Sequence, residues 1–230
     1  MHGFFVTGTD TGVGKTRVAT AFAQALSLRG LRVQVRKPVE SGVDARSGPA
    51  DAQALRDAAG AHEAIDVVCA LTLRAALSPE RAAALEGVEL PLSRLVDAAR
   101  RDADEDGVLL VEGAGGFYSP IATGALNADL AVALGLPVLV VAADRLGALN
   151  HVLLTVEAVQ RRGLEVAAIV LSRPAPVVDD GMDNAADLRA RLALPVIALP
   201  HGAPVADAWR NEAASLAPLL DALASKGLLP

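Results

Sequence analysis

The chain has one cysteine, three lysines, 3% aromatic residues and no long apolar run among its 230 residues, and each scarcity removes a class of explanation. A lone Cys69 excludes an internal disulfide and any metal site built from several thiolates. Set within VVCAL, it reads as a buried structural thiol in a reducing compartment. With so few aromatics and 52% hydrophobic residues, the interior must be packed from Ala, Val and Leu. The net charge of −6 and the lack of any basic arm argue against a nucleic-acid partner. No stretch approaches the ~18 uninterrupted apolar residues that suggest a membrane span. The N-terminus passes straight into a strand pattern without a signal peptide, so a cytoplasmic protein is expected. Lysine is the most pointed scarcity. Only Lys15, Lys37 and Lys226 stand among 21 basic residues, so a retained lysine marks a place where a compact ammonium does what a guanidinium cannot. Lys226, near the end, reads as a solvated charge.

What is present is a P-loop. The apolar run Phe4–Val6 leads into GTDTGVGKT at 8–16 and then into an amphipathic helical pattern. Glycines let successive N–H groups converge on an anion, and the helix N-terminus adds partial positive charge. Gly12, Val13, Gly14, Lys15, Thr16 and Arg17 are therefore nucleotide-binding candidates. Lys15 is placed for the terminal phosphates and the Thr16 hydroxyl for Mg²⁺. Five residues rather than four separate Gly8 from Gly14, a variant of the usual loop.

Strand-like and helical patterns alternate, which predicts an α/β fold with a mostly parallel sheet covered by helices on both faces, as one domain over 1–230. Strands are expected at 4–6, 32–36, 108–112, 138–142, 167–171 and 196–199. Helices are expected at 15–29, 50–59, 79–85, 92–102, 128–134, 150–161, 184–192 and about 211–224. Residues 43–49 read as a mobile loop. Ligands of such sheets gather beyond the carboxyl ends of the strands. There stand KPVESG at 37–42, EGAGG at 112–116 and DRLGALNH at 144–151. Pro38 favours an extended Lys37 projecting toward the P-loop. Glu112 sits where an acid would hold Mg²⁺, and Gly113, Ala114 and Gly115 let a ligand approach the backbone. Asp51 is either an N-cap or first-turn acid of its helix, or a metal contact, direct or through water. Gly147 and Asn150 open a helix and offer a carboxylate anchor, or Asn150 is a plain N-cap. No Ser-His-Asp set and no metal-ligand spacing of histidines is visible.

Together these pieces resemble the dethiobiotin synthetase family, P-loop ligases of biotin synthesis: GTDTGVGKT, KPVESG, Asp51, LSPE at 77–80, VEGAGG at 111–116 and LGALNH at 146–151, in that order. The longer loop with Asp10 and Thr11 is that family's form. The resemblance implies ATP-dependent carboxylation of 7,8-diaminopelargonate with CO₂ and closure of a ureido ring, through a carbamate and a carbamic-phosphoric anhydride. It implies catalysis by Lys37 and Lys15, and Mg²⁺ on Thr16, Asp51 and Glu112. Substrate contacts would come from Thr11, Lys37, Ser41, Gly147 and Asn150, with the last two reached across a homodimer. Ser172 and Pro200 would lie at the nucleotide, where Ser172-Arg173-Pro174 and the 200–204 loop depart from the family's text. Partition-type ATPases share the P-loop class but typically carry a second early lysine where this chain has Asp10. Cobyrinate-type amide synthetases need a nucleophilic cysteine domain for which this chain has no room.

Overall fold

The computed structural model describes residues 2–173, 181–201 and 209–230. In chain order the elements begin with β1 (His2–Gly8), α1 (Lys15–Leu28), β2 (Val33–Arg36), β3 (Val39–Ser41), α2 (Ala50–Ala58), α3 (Ile65–Val68) and β4 (Leu71–Leu73). They continue with α4 (Pro79–Glu86), α5 (Leu92–Arg100), β5 (Val108–Gly116), β6 (Pro120–Ala122), β7 (Ala125–Leu126), α6 (Asn127–Leu134) and β8 (Val138–Ala143). The rest are α7 (Ala148–Arg161), β9 (Val166–Ser172), α8 (Asn184–Arg189), β10 (Val196–Leu199), α9 (Trp209–Glu212), a 3₁₀ turn (Ala213–Leu216) and α10 (Ala217–Ser225).

Six strands form one parallel sheet in the order β10-β9-β8-β1-β5-β2. The expected α/β class and parallel sheet are what the chain forms. The strand period of two divides the apolar residues between two faces. Phe4 and Val6 of β1 with Val108 and Leu110 of β5 join the core under α1, α2 and α10. Phe5, Leu109 and Val111 join the core under α4 to α8. Both faces are dry, which is why these strands read as unbroken Val/Leu/Ile runs. Phe4 and Phe22 meet edge to face at 5.3 Å, fixing α1 over β1. The small residues Ala19, Ala21 and Ala23 let that helix sit close on the sheet.

Three local expectations change. The last helix, expected as one piece over 211–224, is α9, a 3₁₀ turn and α10, because Pro218 in the first turn of α10 has no N–H to extend a helix arriving from the N-terminal side. Helix α7 begins at Ala148 with Gly147 as its N-cap at φ 90°, so Asn150 lies inside the first turn and is not the cap. EGAGG is not a loop following a strand but the second half of β5, with Glu112 paired to Val6 of β1. Residues 43–49 form a turn in which the Asp44 carboxylate accepts from the N–H groups of Arg46 and Ser47.

Candidate active site

The P-loop lies beyond the carboxyl end of β1, between the ends of β5 and β8. Gly14 takes φ 93° as the N-cap of α1, and a side chain there would run into Ser172 Oγ at 2.5 Å. Glycine is required by both conformation and space. Lys15 curls back so that its Nζ donates to the carbonyl of Asp10 (3.0 Å), closing the loop around the cavity that phosphates would enter. Burial pulls the Lys15 pKa below its ordinary value, opposed by Glu112 and reinforced by Lys37. An incoming anion would restore what burial removes.

Lys37 is the hub. Its N–H donates to the carbonyl of Val68 (2.7 Å), which fixes the segment leaving β2. Its Nζ donates to Glu112 Oε1 (2.5 Å), Asp51 Oδ2 (3.0 Å) and the Gly113 carbonyl (3.5 Å). The lysine side chain is 5% exposed, Glu112 is fully buried and Asp51 is 42% exposed. Burial alone would pull the Lys37 pKa down, but the two carboxylates outweigh it and hold the ammonium charged, above the ordinary lysine range. Two buried lysines a few residues apart in space thus shift in opposite directions.

Glu112 Oε1 also accepts from the Thr16 hydroxyl (2.9 Å), while Oε2, buried, has no hydrogen-bond partner among the described residues. An orphaned carboxylate oxygen beside a hydroxyl and a second carboxylate is a set of hard oxygen donors suited to a small divalent cation. No group of three His, Cys, Asp or Glu able to hold a metal occurs among the described residues, so such an ion would complete its shell from Thr16, water and phosphate oxygens.

Asp51 is a first-turn acid of α2 and not its N-cap, a position held by Pro49. The capping of α2 is done by Glu40 of β3, whose two oxygens accept from the N–H groups of Asp51 (3.1 Å) and Ala52 (3.0 Å). That leaves the Asp51 carboxylate turned to Lys37. Burial raises the Glu40 pKa, and the Ala52 N–H opposes the rise.

These groups line a cavity of about 370 Å³. Thr11, Gly12, Gly14, Lys15, Thr16 and Arg17 form its P-loop wall. Lys37, Ser41, Asp51, Glu112, Ala114 and Gly115 form the wall opposite, with Glu40 among them. Val13 is instead packed into the core. Gly113 is backed by Asn127, whose Oδ1 would lie 2.5 Å from an added side chain. The same oxygen accepts from the Ala114 N–H at 3.0 Å. Asn127 Nδ2 donates to the carbonyls of Ala114 and Gly116, so this fully buried amide sets the shape of the glycine segment. The Ser41 hydroxyl donates to the Leu77 carbonyl (2.7 Å) at the LSPE turn.

Ser172 lies directly against Gly14 of the P-loop, and Arg17 ties both Ser172 and Pro200 to it. Its guanidinium donates to Ser172 Oγ (3.1 Å), to the carbonyls of Arg173 (3.2 Å) and Pro200, and to Glu212 Oε1 (2.7 Å). Pro174 and residues 202–204 fall outside the described residues. Gly147 and Asn150 do not line this cavity, and both are exposed at the start of α7. Glu40, Asn127 and Glu212 were not singled out in the sequence. An acid between two residues of the KPVESG motif and an Asn opening a helix were the available signals for the first two; Glu212 had none.

Comparison with known proteins follows the geometry. A family profile described as "AAA domain" matches residues 2–206. An ATP-dependent dethiobiotin synthetase of Anaeromyxobacter dehalogenans strain 2CP-C is 50% identical over 189 residues, covering 82% of this chain and 84% of that relative. The enzyme of the same name from strain 2CP-1 is 48% identical over 214 residues (92% and 95%). That of Rhodopirellula baltica is 40% identical over 211 residues (85% and 82%). Among solved structures, the cell-division MinC:MinD complex of Aquifex aeolicus aligns at TM-score 0.57 and 13% identity, over 99% of this chain and 96% of that one. The signal recognition particle receptor FtsY of Elizabethkingia anophelis aligns at 0.51 and 16%, over 93% and 64%. At such identities these two speak for the fold alone. A P-loop joined to a Lys37–Glu112–Asp51 cluster, with relatives this similar over most of their length, places the chain in the AAA-domain P-loop superfamily and, within it, in the dethiobiotin synthetase family.

Proposed function

We propose that the chain is an ATP-dependent dethiobiotin synthetase, a ligase that closes the ureido ring of dethiobiotin from 7,8-diaminopelargonate in biotin biosynthesis. The observation that carries this reading is Lys37: a fully charged ammonium with no anion of its own except two carboxylates, facing a phosphate loop across one cavity.

The chemistry joins two anions, and the cavity is built for that. One amine of the diamine uses its lone pair to attack CO₂, loses a proton and becomes a carbamate. A carbamate oxygen attacks the γ-phosphorus and the bond to ADP breaks. The second amine attacks the carbamoyl carbon of the mixed anhydride, its proton passes to the leaving phosphate, and the ring closes. No covalent intermediate with the protein is needed, and positioning with electrostatics supplies the catalysis. Lys37 would lie between carbamate and γ-phosphoryl oxygens, stabilising both as they meet. Lys15 and the N–H groups of residues 12–16 would hold the β and γ phosphates. Thr11 and Ser41, on the two walls of the cavity, would accept from the amines. Thr16, Glu112 and Asp51 would hold Mg²⁺, which would supply neutralising charge to the phosphates. The orphaned Glu112 Oε2 supports that assignment.

The far carboxylate of the substrate needs donors of its own, since an unpaired buried anion is costly. The start of α7 carries them, but outside the cavity, so we assign them to Gly147 and Asn150 of the partner subunit in a homodimer. We read the chain as one cytoplasmic catalytic domain; no helix among the described residues is long and apolar enough to cross a membrane.

The test is phosphate release from MgATP with diamine and bicarbonate supplied together and singly. Release that requires both, at about one phosphate per dethiobiotin, is expected. ATP hydrolysis indifferent to the diamine would overturn the reading.

A further inference from the structure

Helix α2 begins with a defect. Its N-cap position is Pro49, in extended conformation, whose ring offers no oxygen to the first-turn N–H groups. Those of Asp51 and Ala52 are satisfied instead by Glu40, one oxygen each, from a strand eleven and twelve residues earlier. Glu40 is 7% exposed and lies on β3, which is held by parallel pairing to β4 and continued by hydrogen bonds from Gly42 and Val43 to Ala75 and Leu73. Each of its two oxygens accepts one backbone N–H, which ties the Glu40 side chain to the start of α2.

The consequence lies in the spacing. Lys37 and Glu40 belong to one short segment, and Asp51 belongs to another element. Glu40 is the side chain that bolts the second to the first, and the Asp51 carboxylate then meets Lys37 Nζ at 3.0 Å. We propose that Glu40 is a positioning residue for this reaction, setting the Lys37–Asp51 pair and the metal-facing carboxylate by capping α2 from β3. This rests on the assignment of Asp51 to the phosphoryl-transfer site made above.

The test uses the full-length protein with Glu40→Ala, Glu40→Gln, Asp51→Asn and the Glu40→Ala/Asp51→Asn double variant. Mn²⁺ affinity is titrated by electron paramagnetic resonance with a non-hydrolysable ATP analogue, beside turnover, KM for ATP and the melting temperature. Loss of a supporting partner of this kind typically costs 10–100-fold in metal affinity or activity. Glu40→Ala should therefore weaken Mn²⁺ binding and lower kcat by about tenfold, with KM for ATP nearly unchanged. Glu40→Gln, which keeps one acceptor and the fold, should fall between; if Glu40→Ala does not fold, Glu40→Gln carries the comparison. The double variant should be no worse than Asp51→Asn, since the two act through one pair. Glu40 variants that melt earlier but bind Mn²⁺ and turn over within twofold of wild type would overturn the proposal and leave Glu40 as a helix cap. Effects that simply add in the double variant would also overturn it. If Asp51→Asn itself leaves Mn²⁺ binding unchanged, the assignment of Asp51 falls along with the proposal; a weakened Asp51→Asn beside a normal Glu40→Ala sinks the proposal alone.

Discussion

The two sides of the P-loop are built on different principles. Toward β5 and β2, four charged side chains (Lys15, Lys37, Glu112 and Asp51) converge on one cavity, the first three buried and Asp51 partly exposed, each borne on or just beyond the end of a strand or in the first turn of a helix. Toward β9 and β10, one guanidinium, that of Arg17, gathers the ends of two strands and a carboxylate from α9. The first side concentrates charge and leaves Glu112 Oε2 without a hydrogen-bond partner, which supports its assignment to an incoming phosphate, carbamate or cation. The second spends its charge internally. We propose that the reaction uses the incomplete side, and that the closed side braces the start of α1, and with it the P-loop, for the nucleotide.

The largest break in that contrast is expected at Lys37. Lys37→Ala, and Lys37→Arg with its different shape, should lower turnover by on the order of 10²–10³, the scale of a lost preorganised charge contact. Binding of a non-hydrolysable ATP analogue, followed by calorimetry, should change by only a few-fold, because the charge acts on the transition state. A Lys37→Ala enzyme above half of wild-type turnover would contradict the division. Glu112→Gln comes next. A neutral amide cannot balance a divalent ion, so the Mg²⁺ concentration for half-maximal turnover should rise at least tenfold. An unchanged Mg²⁺ titration would remove Glu112 from the metal site.

On the other side, Arg17→Ala should behave in the opposite manner. It leaves Glu212 buried without its cation, a class of change that costs about 3–5 kcal/mol. A lowered melting temperature and a several-fold rise in KM for ATP should accompany nearly unchanged kcat. A kcat loss as large as that of Lys37→Ala would erase the distinction between the two sides. The smallest effect belongs to Cys69, outside both. Burial pushes its thiol up to about 12, so at pH 8 it should resist a thiol reagent in the native protein and react fully in denaturant. Because the folded pKa is raised, its contribution to stability is complete below the ordinary thiol value of 9.0. It declines as pH rises from there toward about 12.

The same contrast explains what could be read from the chain. Lys15, Thr16, Lys37 and Glu112 were legible because each follows or ends an apolar strand run, and parallel topology delivers strand ends to one edge of the sheet. Asp51 was ambiguous because its role depends on Glu40, and a cap donated from another element leaves no local pattern. Asn127 showed only as an Asn opening a helix, with nothing in the sequence to mark its bond to the Ala114 N–H, and Glu212 was invisible because its partner Arg17 lies far along the chain. The six central strands were legible from their apolar runs. The two- and three-residue strands β3, β4, β6 and β7 are too short to show a period, and the apolar helical pattern runs unbroken through the terminal segment that Pro218 divides.

The central claim is that a carbamate oxygen, not water, attacks the γ-phosphate beside Lys37. Rapid mixing of the enzyme, MgATP and diamine with ¹⁸O-labelled CO₂, quenched before the label exchanges with solvent, tests it directly by mass spectrometry of the released phosphate. The account predicts one ¹⁸O in each phosphate formed with dethiobiotin. Phosphate carrying only solvent and ATP oxygens would contradict it.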